Sequence, residues 1–427
     1  MYGLTNTRSA AIRAATAGSS SETRYSSAHT RTVTSHELYF SSPASKTLAL
    51  TPTRQGGLRG RAAVGQWRVH GSEQARLRAL PVLLSGAFLL LGAAGPRAQL
   101  QPTAAFIDTL LRQALRFSTA DLEAIEAGRA VIKTLDTEVR QELAHIGAVY
   151  INVPPAQFIE RFRNIERFER GPGSPQIGRF GDPPRTEDLA SLRLPAEDVD
   201  ALRRCQPGSC DMKLSAEAMK RFSNEVTWNS PDATRQATEV MREVIADLVR
   251  RYQSVGDAGL GQYDDGEPLS VAEQFGALLS NTEALPVPVP ALLTYLEEYP
   301  RSRPAGAEDI FYWTVVEFGL KPTIRANHTV IYPLPARPSG VAYAIATRQL
   351  YASHYFHTTL ELRFLVEDDR PGRRGFHLIS LTRSRTDGMT GFRGALLRPI
   401  VNRRSRNGVR VYLEHLKRQV EGPTPAP

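Results

Sequence analysis

Two histidines and two tyrosines lie close together at residues 351–357, where the sequence reads Tyr-Ala-Ser-His-Tyr-Phe-His. Side chains alternate along a β-strand, so His354 and His357 are expected to point to opposite faces and not to share one metal ion. A zinc site assembled from His328, His354 and His377 on neighbouring strands is an alternative that strand geometry permits. The sequence favours satisfied or exposed histidines, with one histidine lining a ligand cavity as the second interpretation.

A second polar group, Thr382–Gly388, lies between the last predicted strand and the C-terminal helix. Arg383 and Arg385 share one face of the strand, and Asp387 is placed to pair with one of them. At a cavity mouth these arginines would hold a carboxylate or phosphate in bidentate fashion. The alternative is a structural Arg–Asp pair that fixes the turn. The ligand-binding residues predicted from the sequence are Tyr351, His354, Tyr355, Arg383, Arg385 and Asp387. We predict no metal and no cofactor, and we assign no catalytic residue.

Both cysteines of the chain, Cys205 and Cys210, lie in the segment Cys-Gln-Pro-Gly-Ser-Cys. Pro207 and Gly208 favour a tight turn, and a disulfide across so short a loop is feasible in an oxidising compartment. Free thiols are an alternative to this disulfide. Metal binding lacks a second pair of ligands nearby, and a thioredoxin-type redox site has two intervening residues, not four.

Local enzyme motifs are missing from the sequence, which contains no Gly-rich phosphate loop, no His-Glu-x-x-His and no Gly-x-Ser-x-Gly. An active site assembled from distant residues stays open, because site geometry need not be local in sequence. The acidic stretch Tyr263–Glu267 lacks the alternating oxygen ligands of a calcium loop and is interpreted as a solvated turn.

The elements that must position these residues form the last third of the chain. Five segments alternate apolar and polar residues between Gly, Pro and Asp turn residues, which is typical of half-buried antiparallel strands. The predicted strands are Ile310–Phe318, Thr323–Tyr332, Val341–Gln349, Tyr355–Glu367 and Phe376–Thr382. A sheet that closes around the helix that follows would enclose a cavity.

Beyond Gly391 the apolar residues recur at three and four positions, which predicts one long amphipathic helix. Its buried stripe is predicted to contain Leu397, Ile400, Val401, Tyr412, Leu416 and Val420. Between Leu397 and Val420 this helix carries seven Lys and Arg residues, namely Arg398, Arg403, Arg404, Arg406, Arg410, Lys417 and Arg418. A solvated face is one interpretation of this charge, and docking to an anionic membrane surface is the other.

Positive charge is concentrated near the N-terminus. Of the 53 Lys+Arg and 44 Asp+Glu in the chain, 12 and 3 lie in residues 1–98, so the remaining residues carry both signs in equal number. The net positive charge of the chain therefore belongs to residues 1–98, here called the leader. We accordingly reject nucleic-acid binding by the rest of the chain.

The leader ends in the pattern of a secretory signal peptide at residues 76–98. Arg76 and Arg78 precede the apolar run Leu80–Leu91, which is followed by small residues. The run is short for a membrane span, so a retained N-terminal anchor is the less favoured alternative.

Residues 1–75 are rich in Ser, Thr, Arg, Ala and Gly and are expected to be disordered. A signal peptide is normally N-terminal, and no Met occurs between Met1 and Met212. We therefore expect translation to begin later, at a position such as Val64 or Val69.

The mature chain begins with predicted helices, followed by strands at Arg129–Leu135 and Leu143–Val153. The second strand runs directly into Pro154 and Pro155, and Pro in the first turn of a helix is favourable because its missing N–H would be unpaired anyway. The segment Ala156–Phe168 accordingly shows a helical apolar stripe.

A strand that ends in Ile-Asn-Val-Pro-Pro, followed by a helix with an aromatic residue at its third or fourth position, resembles the start of START-like and polyketide-cyclase-like domains. The resemblance covers about residues 129–168 and 309–420. It implies a helix-grip fold, in which a curved antiparallel sheet grips a long C-terminal helix. The family has no universal catalytic motif, so the resemblance implies a cavity and not a reaction.

The chain departs from that family by a mostly helical insertion at residues 171–305, interpreted as a lid or as a separate helical subdomain. The predicted organisation is a disordered or wrongly assigned N-terminal extension (1–75), a signal peptide (76–98), the first part of the core (99–170), the insertion (171–305), and the main strands with the long helix (306–422). The fold class is α+β.

Together these patterns predict an exported protein, periplasmic or secreted, that holds a hydrophobic or amphiphilic small molecule or lipid between sheet and helix. Peripheral membrane contact is a further expectation. One alternative is a cyclase- or hydrolase-type enzyme that uses a His or Asp as acid–base. The other is a cell-envelope interaction protein whose cavity is filled by its own side chains.

Overall fold

The structure, a computed structural model, describes residues 103–422 apart from 172, 283–286, 288, 335–339 and 389–390, with backbone alone at 103–105 and 391–397. The predicted leader and signal peptide therefore lie outside the described residues. Ten helices and ten strands are described, together with a π-helical turn at Thr109–Ala114. The helices are α1 Thr103–Asp108, α2 Thr119–Glu126, α3 Pro155–Arg163, α4 Ile165–Glu169, α5 Ala196–Leu202, α6 Ala216–Glu225, α7 Ala233–Val255, α8 Val271–Ser280, α9 Pro290–Glu298 and α10 Gly391–Glu421.

An open antiparallel sheet of eight strands forms the centre of the fold, in the order β1-β2-β10-β9-β8-β7-β6-β3. Its strands are β1 Val131–Leu135, β2 Glu142–Ile151, β3 Gln176–Arg179, β6 Glu308–Val316, β7 Thr323–Pro333, β8 Val341–Ala352, β9 Phe356–Glu367 and β10 Phe376–Thr386. The remaining two, β4 Gln262–Tyr263 and β5 Leu269–Ser270, form a small separate pair. The α+β class and the sheet with a C-terminal helix are confirmed.

One surface of the sheet, here called the α10 face, is covered by α3, α4 and the second half of α10. Leu413 and Leu416 of α10 pack in one apolar cluster with Phe162 of α3, Ile345 of β8 and Leu378 of β10. The helix packs closely against the sheet at Gly147 of β2. A Cβ added there would lie 2.8 Å from Leu413 Cδ1, so the absent side chain is what admits the helix.

The opposite surface, here called the insertion face, is covered by α1, α2 and the helical insertion. Phe275 of α8 and Leu292 of α9 pack with Leu362 of β9 and Leu381 of β10. Further along the same face, the 23-residue helix α7 packs with Trp313 of β6. The apolar core of the insertion therefore lies on the side of the sheet away from α10, whereas a lid over a cavity beneath α10 would lie on the other side.

The five main strands agree with their predicted bounds within a few residues, because apolar and polar residues alternate clearly there. Strand β3 was not predicted, since Gln176–Arg179 lies in a Gly- and Pro-rich loop and has four residues. It pairs with β6 and forms one edge of the sheet. Among the described helices, none is both long and apolar enough to cross a bilayer.

Candidate ligand-binding site

Polar side chains continue the α10 face across strands β6 to β9, next to the apolar cluster. Directly paired residues of antiparallel strands point to the same face, and Glu361, Thr347 and Thr329 form one such row. Asn327 lies opposite Gln349 in the next row. We call this group the polar belt, and its members are Tyr312, Arg325, Asn327, Thr329, Thr347, Gln349, Thr359, Glu361 and Arg363.

A buried arginine connects the polar belt to α10. Arg363 is 2 % exposed, and its Nη2 donates to Glu361 Oε2 at 2.6 Å and to the Tyr412 hydroxyl at 2.7 Å. Tyr412 in turn donates to Glu169 Oε1 of α4 at 2.5 Å. A second arginine, Arg325, places Nη2 3.6 Å from Glu361 Oε1. The charges of three elements therefore meet at one point of the α10 face.

Burial sets the protonation of the acidic groups around Arg363. It raises the pKa of Glu169, although Arg363 and the hydrogen bond from Tyr412 act in the opposite direction. It also holds the pKa of Tyr412 well above its usual value. For Arg363 itself, burial lowers the pKa but the neighbouring Tyr412 and Glu361 outweigh it, so the pKa is raised and the guanidinium stays charged. Positive charge is therefore fixed here more firmly than negative charge.

Several buried donors of the polar belt have no protein partner among the described residues. They are Arg363 Nε and Nη1, Arg325 Nε, Gln349 Nε2 and Asn327 Nδ2, together with the acceptor Asn327 Oδ1. Asn327 and Gln349 are 1 % and 0 % exposed. A buried polar group without a partner costs about 1–3 kcal/mol, and most native proteins contain few of them. Asn327 and Gln349 are directly opposite each other on β7 and β8, and this grouping marks the polar belt as the candidate binding site.

The belt is suited to a group rich in hydrogen-bond acceptors. Five of its six unpaired atoms are donors, and two of them belong to Arg363, whose planar fork matches a carboxylate. The adjoining apolar cluster contains Ile331, Ile345 and Leu365. An apolar surface next to a few polar groups that fix orientation is the usual composition of a small-molecule site.

The structure places the predicted anchors Arg383 and Arg385 on the insertion face. Arg383 Nη1 donates to Glu142 Oε1 at 2.6 Å, and Arg385 Nη1 donates to Gln274 Oε1 of α8 at 3.2 Å. Arg385 Nε lies 4.0 Å from Glu142 Oε2. The two arginines do share a face, as predicted, but they surround the buried Glu142 and do not reach the space between sheet and α10. No observation here tests their predicted role in ligand binding.

Tyr351 and His354 contact the insertion. A β-bulge turns Tyr351 towards the insertion face, where its ring packs 6.2 Å from that of Tyr263. His354 is bonded through both ring nitrogens, to Asp211 O at 3.1 Å and to Asp198 Oδ1 of α5 at 3.0 Å. These contacts attach the insertion to the end of β8, and ligand binding by the two side chains stays a prediction.

Asp387 pairs with a histidine and a lysine, where an Arg383 or Arg385 partner was expected. Its Oδ1 lies 2.5 Å from His357 Nε2, and its Oδ2 lies 2.7 Å from Lys213 Nζ. The Asp387 backbone N–H donates to Tyr355 O at 2.8 Å. The Tyr355 hydroxyl accepts from Lys321 N–H at 3.1 Å. The structure thus brings Tyr355 and Asp387 together, whereas Arg383 pairs with Glu142.

The predicted disulfide between Cys205 and Cys210 is present, with a Cα–Cα distance of 4.4 Å. Gly208 adopts a φ of +82°, the left-handed conformation that a tight turn at this position requires. Disulfides persist in oxidising compartments, so the bond indicates such an environment. The acidic loop beside it differs from a solvated turn, because Asp264 Oδ2 accepts the Ala216 N–H at the start of α6 and Asp265 pairs with Lys213.

The three histidines of the alternative zinc site lie in separate clusters. His328 Nε2 contacts Asp309 Oδ1 at 2.9 Å, His377 Nε2 contacts Glu126 Oε1 at 2.9 Å, and His354 binds Asp198. Within the described chain, one group of three possible ligands is close enough to share an ion, namely Glu126, Asp368 and His377. Arg370 and Arg373 already bond both carboxylates of that group, so its charge is balanced within the protein.

The polar belt was not predicted from the sequence. Glu361 and Arg363 alternate with Leu360, Leu362 and Phe364, a pattern that normally predicts a strand with one face in solvent. The sequence feature that could have predicted the belt is the long amphipathic helix that follows these strands, because its apolar stripe must cover one face of the same sheet. A charged row on a covered face predicts a buried polar site.

Comparison with known proteins adds no family assignment: no protein-family model matches this chain, and no curated protein matches it significantly.

Proposed function

We propose that this protein binds an amphiphilic small molecule between the α10 face of the sheet and the C-terminal helix. The head of the ligand, a carboxylate or another acceptor-rich group, would contact the polar belt. The observation that carries the proposal is the group of buried, unpaired donors around Arg363, Asn327 and Gln349. Burial of such groups without a partner costs free energy, and hydrogen bonds to a ligand would offset that cost.

Electrostatic balance favours an anionic head over a cationic one. Arg325 and Arg363 face Glu361 and Glu169, and burial raises the pKa of Glu169 towards the neutral form. A carboxylate that enters this surrounding replaces lost hydration with charge-assisted hydrogen bonds, which are about twice as strong as neutral ones. A cation would meet two guanidinium groups.

The apolar part of the ligand would lie on the neighbouring surface formed by Ile331, Ile345, Leu365, Leu378 and Leu416. Burial of apolar surface contributes roughly 25 cal/mol per Å2 to binding before the costs of association. The chain therefore offers both halves that an amphiphile needs on one face of the sheet.

The topology is compatible with the START-like helix-grip resemblance. Strand β2, which precedes the Pro-Pro helix α3, pairs with β10, which precedes α10. This pairing lets the first and last parts of the core close on one another around the long helix. We infer a helix-grip domain with an insertion on the opposite face. The disulfide, together with the predicted signal peptide, supports export of the mature chain.

Native mass spectrometry of the purified protein tests for a co-purified amphiphile. Titration with dodecanoate and with the uncharged dodecanol, followed by calorimetry, tests the head-group preference. We expect dodecanoate to bind on the order of tenfold more tightly than dodecanol, because Arg363 supplies charge-assisted bonds. Equal affinities would contradict the anionic head.

Two variants distinguish the polar belt from the anchors predicted by sequence. Asn327→Leu has nearly the same volume and removes two unpaired atoms, so we expect weaker dodecanoate binding by a folded protein. Arg383→Ala combined with Arg385→Ala changes the insertion face and should leave the affinity unchanged. The reverse pattern assigns the ligand to Arg383 and Arg385. Unchanged affinity in both variants shows that bound water or protein groups satisfy the belt, and refutes the proposed site.

A further inference from the structure

A groove of about 530 Å3 runs between the edge strand β1 and the outer flank of α10, away from the polar belt. One wall is formed by the β1 segment Ala130 to Ile132. The other wall belongs to α10 and consists of Arg403, Arg404, Arg406, Asn407 and Arg410. The groove is therefore lined on one side almost entirely by guanidinium groups.

The spacing of these arginines places them in one row. Arg403, Arg406 and Arg410 are three and four residues apart, so they lie on one flank of the helix with neighbouring Cβ atoms about 5–6 Å apart. All three are exposed. The helix contains no Asp or Glu between residues 398 and 413, so no acid on the same helix neutralises the row.

The row also lacks partners from elsewhere in the fold. Across the described ranges, Arg403, Arg404 and Arg406 form no ion pair, and Arg410 donates to Asn407 Oδ1 alone at 2.6 Å. Beneath the row, burial and the positive charge of Arg406 lower the pKa of His145 to about 4, so its imidazole is neutral at pH 7. The groove thus collects like charges whose mutual repulsion an anion would relieve.

Strand β1 contributes backbone donors to the opposite wall. It is the terminal strand of the described sheet and pairs on one side with β2. The outward amides of such an edge lie outside the sheet ladder and are free to hydrogen-bond a ligand.

We propose that this groove binds a phosphate-bearing group carrying two or more negative charges. Guanidinium groups bind phosphate oxygens in bidentate fashion, and a row of three suits a group with separated charges. The site lies on the outer flank of α10, so it goes beyond the amphiphile site on the inner side and does not depend on it.

The anion has two plausible sources, a soluble phosphorylated molecule and a phospholipid headgroup. Ile400 and Val411 of α10 are 43 % and 50 % exposed. Ile400 and Val411 are eleven residues apart, which is about three helical turns, so both lie on one line beside the arginine row. Exposed apolar residues next to arginines on one helix are typical of binding at an anionic lipid surface.

The test uses the whole mature chain and two probes. Pyrophosphate is titrated by calorimetry at low salt, and vesicles with and without cardiolipin, whose headgroup carries two phosphates, are used in a co-sedimentation assay. The test variant combines Arg403→Gln, Arg406→Gln and Arg410→Gln. A control of equal charge change combines Arg179→Gln, Arg204→Gln and Arg301→Gln, which are exposed residues on other elements.

We expect the groove variant to lose on the order of tenfold in affinity for a probe and the control variant to lose less than about twofold. Affinity for pyrophosphate identifies a soluble phosphorylated ligand, and binding to cardiolipin vesicles alone identifies a lipid headgroup. Equal losses in both variants would show that only net charge matters and would overturn the proposal. Absence of binding to either probe would overturn it as well. Asn327→Leu should bind both probes like the wild type, which separates this site from the amphiphile site.

Discussion

The two faces of the central sheet bury charged side chains in different ways. On the insertion face, Arg383 meets Glu142 at 2.6 Å and Arg348 meets Asp257 at 2.5 Å, with the Arg348 guanidinium 3.7 Å from the centre of the Phe275 ring. Arg348 still leaves Nε and Nη2 without a hydrogen bond in the described chain, and on the α10 face Arg363 likewise leaves Nε and Nη1. The α10 face differs in that the side-chain amides of Asn327 and Gln349, which lie directly opposite each other, both have unpaired nitrogens.

The difference lies in how the unpaired atoms are grouped, since both faces leave some buried polar atoms without a partner in the described chain. On the insertion face they lie in separate clusters, such as Arg348 Nε beside the Phe275 ring and Arg385 Nε beside Glu142. On the α10 face they belong to neighbouring residues of the polar belt. Each unpaired group costs free energy, and this grouping is the basis of the proposed binding site.

Removal of Glu142 should lower the stability of the protein more than any other change considered, because it breaks the buried ion pair with Arg383 on the insertion face. Glu142→Ala leaves Arg383 buried without its opposite charge and removes the nearest carboxylate from Arg385. We expect the free energy of unfolding to fall by about 3–5 kcal/mol, measured by urea denaturation. The exposed Glu138→Ala on the preceding loop is the control and should change it by less than about 0.5 kcal/mol. A small effect of Glu142→Ala would show that the insertion face is not held by this pair.

Acid sensitivity should come in part from His145, on the α10 face beneath α10. Burial and Arg406 lower its pKa from 6.5 to about 4. Between these values the unfolded chain binds a proton that the folded chain does not, so stability falls as the pH decreases. The expected loss is up to about 3 kcal/mol on going from pH 7 to pH 4.

The measurement compares urea denaturation of the wild type and His145→Asn at several pH values in this range. We expect a shallower dependence on pH in the variant. The raised pKa of Glu169 acts in the other direction, since it lowers stability as the pH rises. Identical slopes for the two proteins would mean that His145 does not titrate between these states.

Asn327→Leu should raise the stability of the protein, whereas Glu142→Ala should lower it. It removes an unpaired amide from the buried α10 face, so we expect the ligand-free protein to gain about 1–2 kcal/mol in unfolding free energy. The same urea assay measures it. A loss of stability would indicate that the Asn327 amide has partners and that the two faces do not differ in this respect.

The smallest effect is expected from the contact between α10 and β2. A Cβ at Gly147 would lie 2.5 Å from Ile132 Cδ1 and 2.8 Å from Leu413 Cδ1, both of which are terminal methyl groups that can shift. Gly147→Ala should therefore cost about 1 kcal/mol. Gly408 on the same helix has no atom within 4 Å of an added Cβ, so Gly408→Ala should gain roughly 0.5–1 kcal/mol. Thermal unfolding measured by circular dichroism compares the two, and equal shifts would contradict close packing at Gly147.

The fold was largely predictable because its long strands alternate regularly and its last helix has a clear stripe. Ile310–Phe318 was predicted and Glu308–Val316 is observed. The α10 stripe was predicted correctly at Tyr412, Leu416 and Val420, which pack on the sheet. Ile400 was predicted to be buried but is exposed, because Leu413 and not Ile400 meets the sheet where Gly147 admits the helix.

The site was less predictable, since alternation tells which residues share a face but not which face receives which helix. Arg383 and Arg385 were correctly grouped, yet the insertion covers them and α10 does not. Which helix covers the two arginines depends on the position of α8 against β9 and β10. Long-range apolar packing of Phe275 and Leu278 sets that position. Sequence pattern carries no information about packing between segments a hundred residues apart.

The attachment of α10 to β2 has a consequence for biosynthesis. Lys417 Nζ donates to Tyr150 O at 2.9 Å, and Asn152 N–H donates to Glu421 Oε1 at 2.6 Å, so contacts that close the core join residues more than 260 positions apart. These last turns leave the ribosome after everything they cover. The apolar surface around Ile151 and Phe158 stays open throughout elongation, and contacts of such long separation form slowly. We therefore expect the nascent chain to bind chaperones until the end of α10 has emerged.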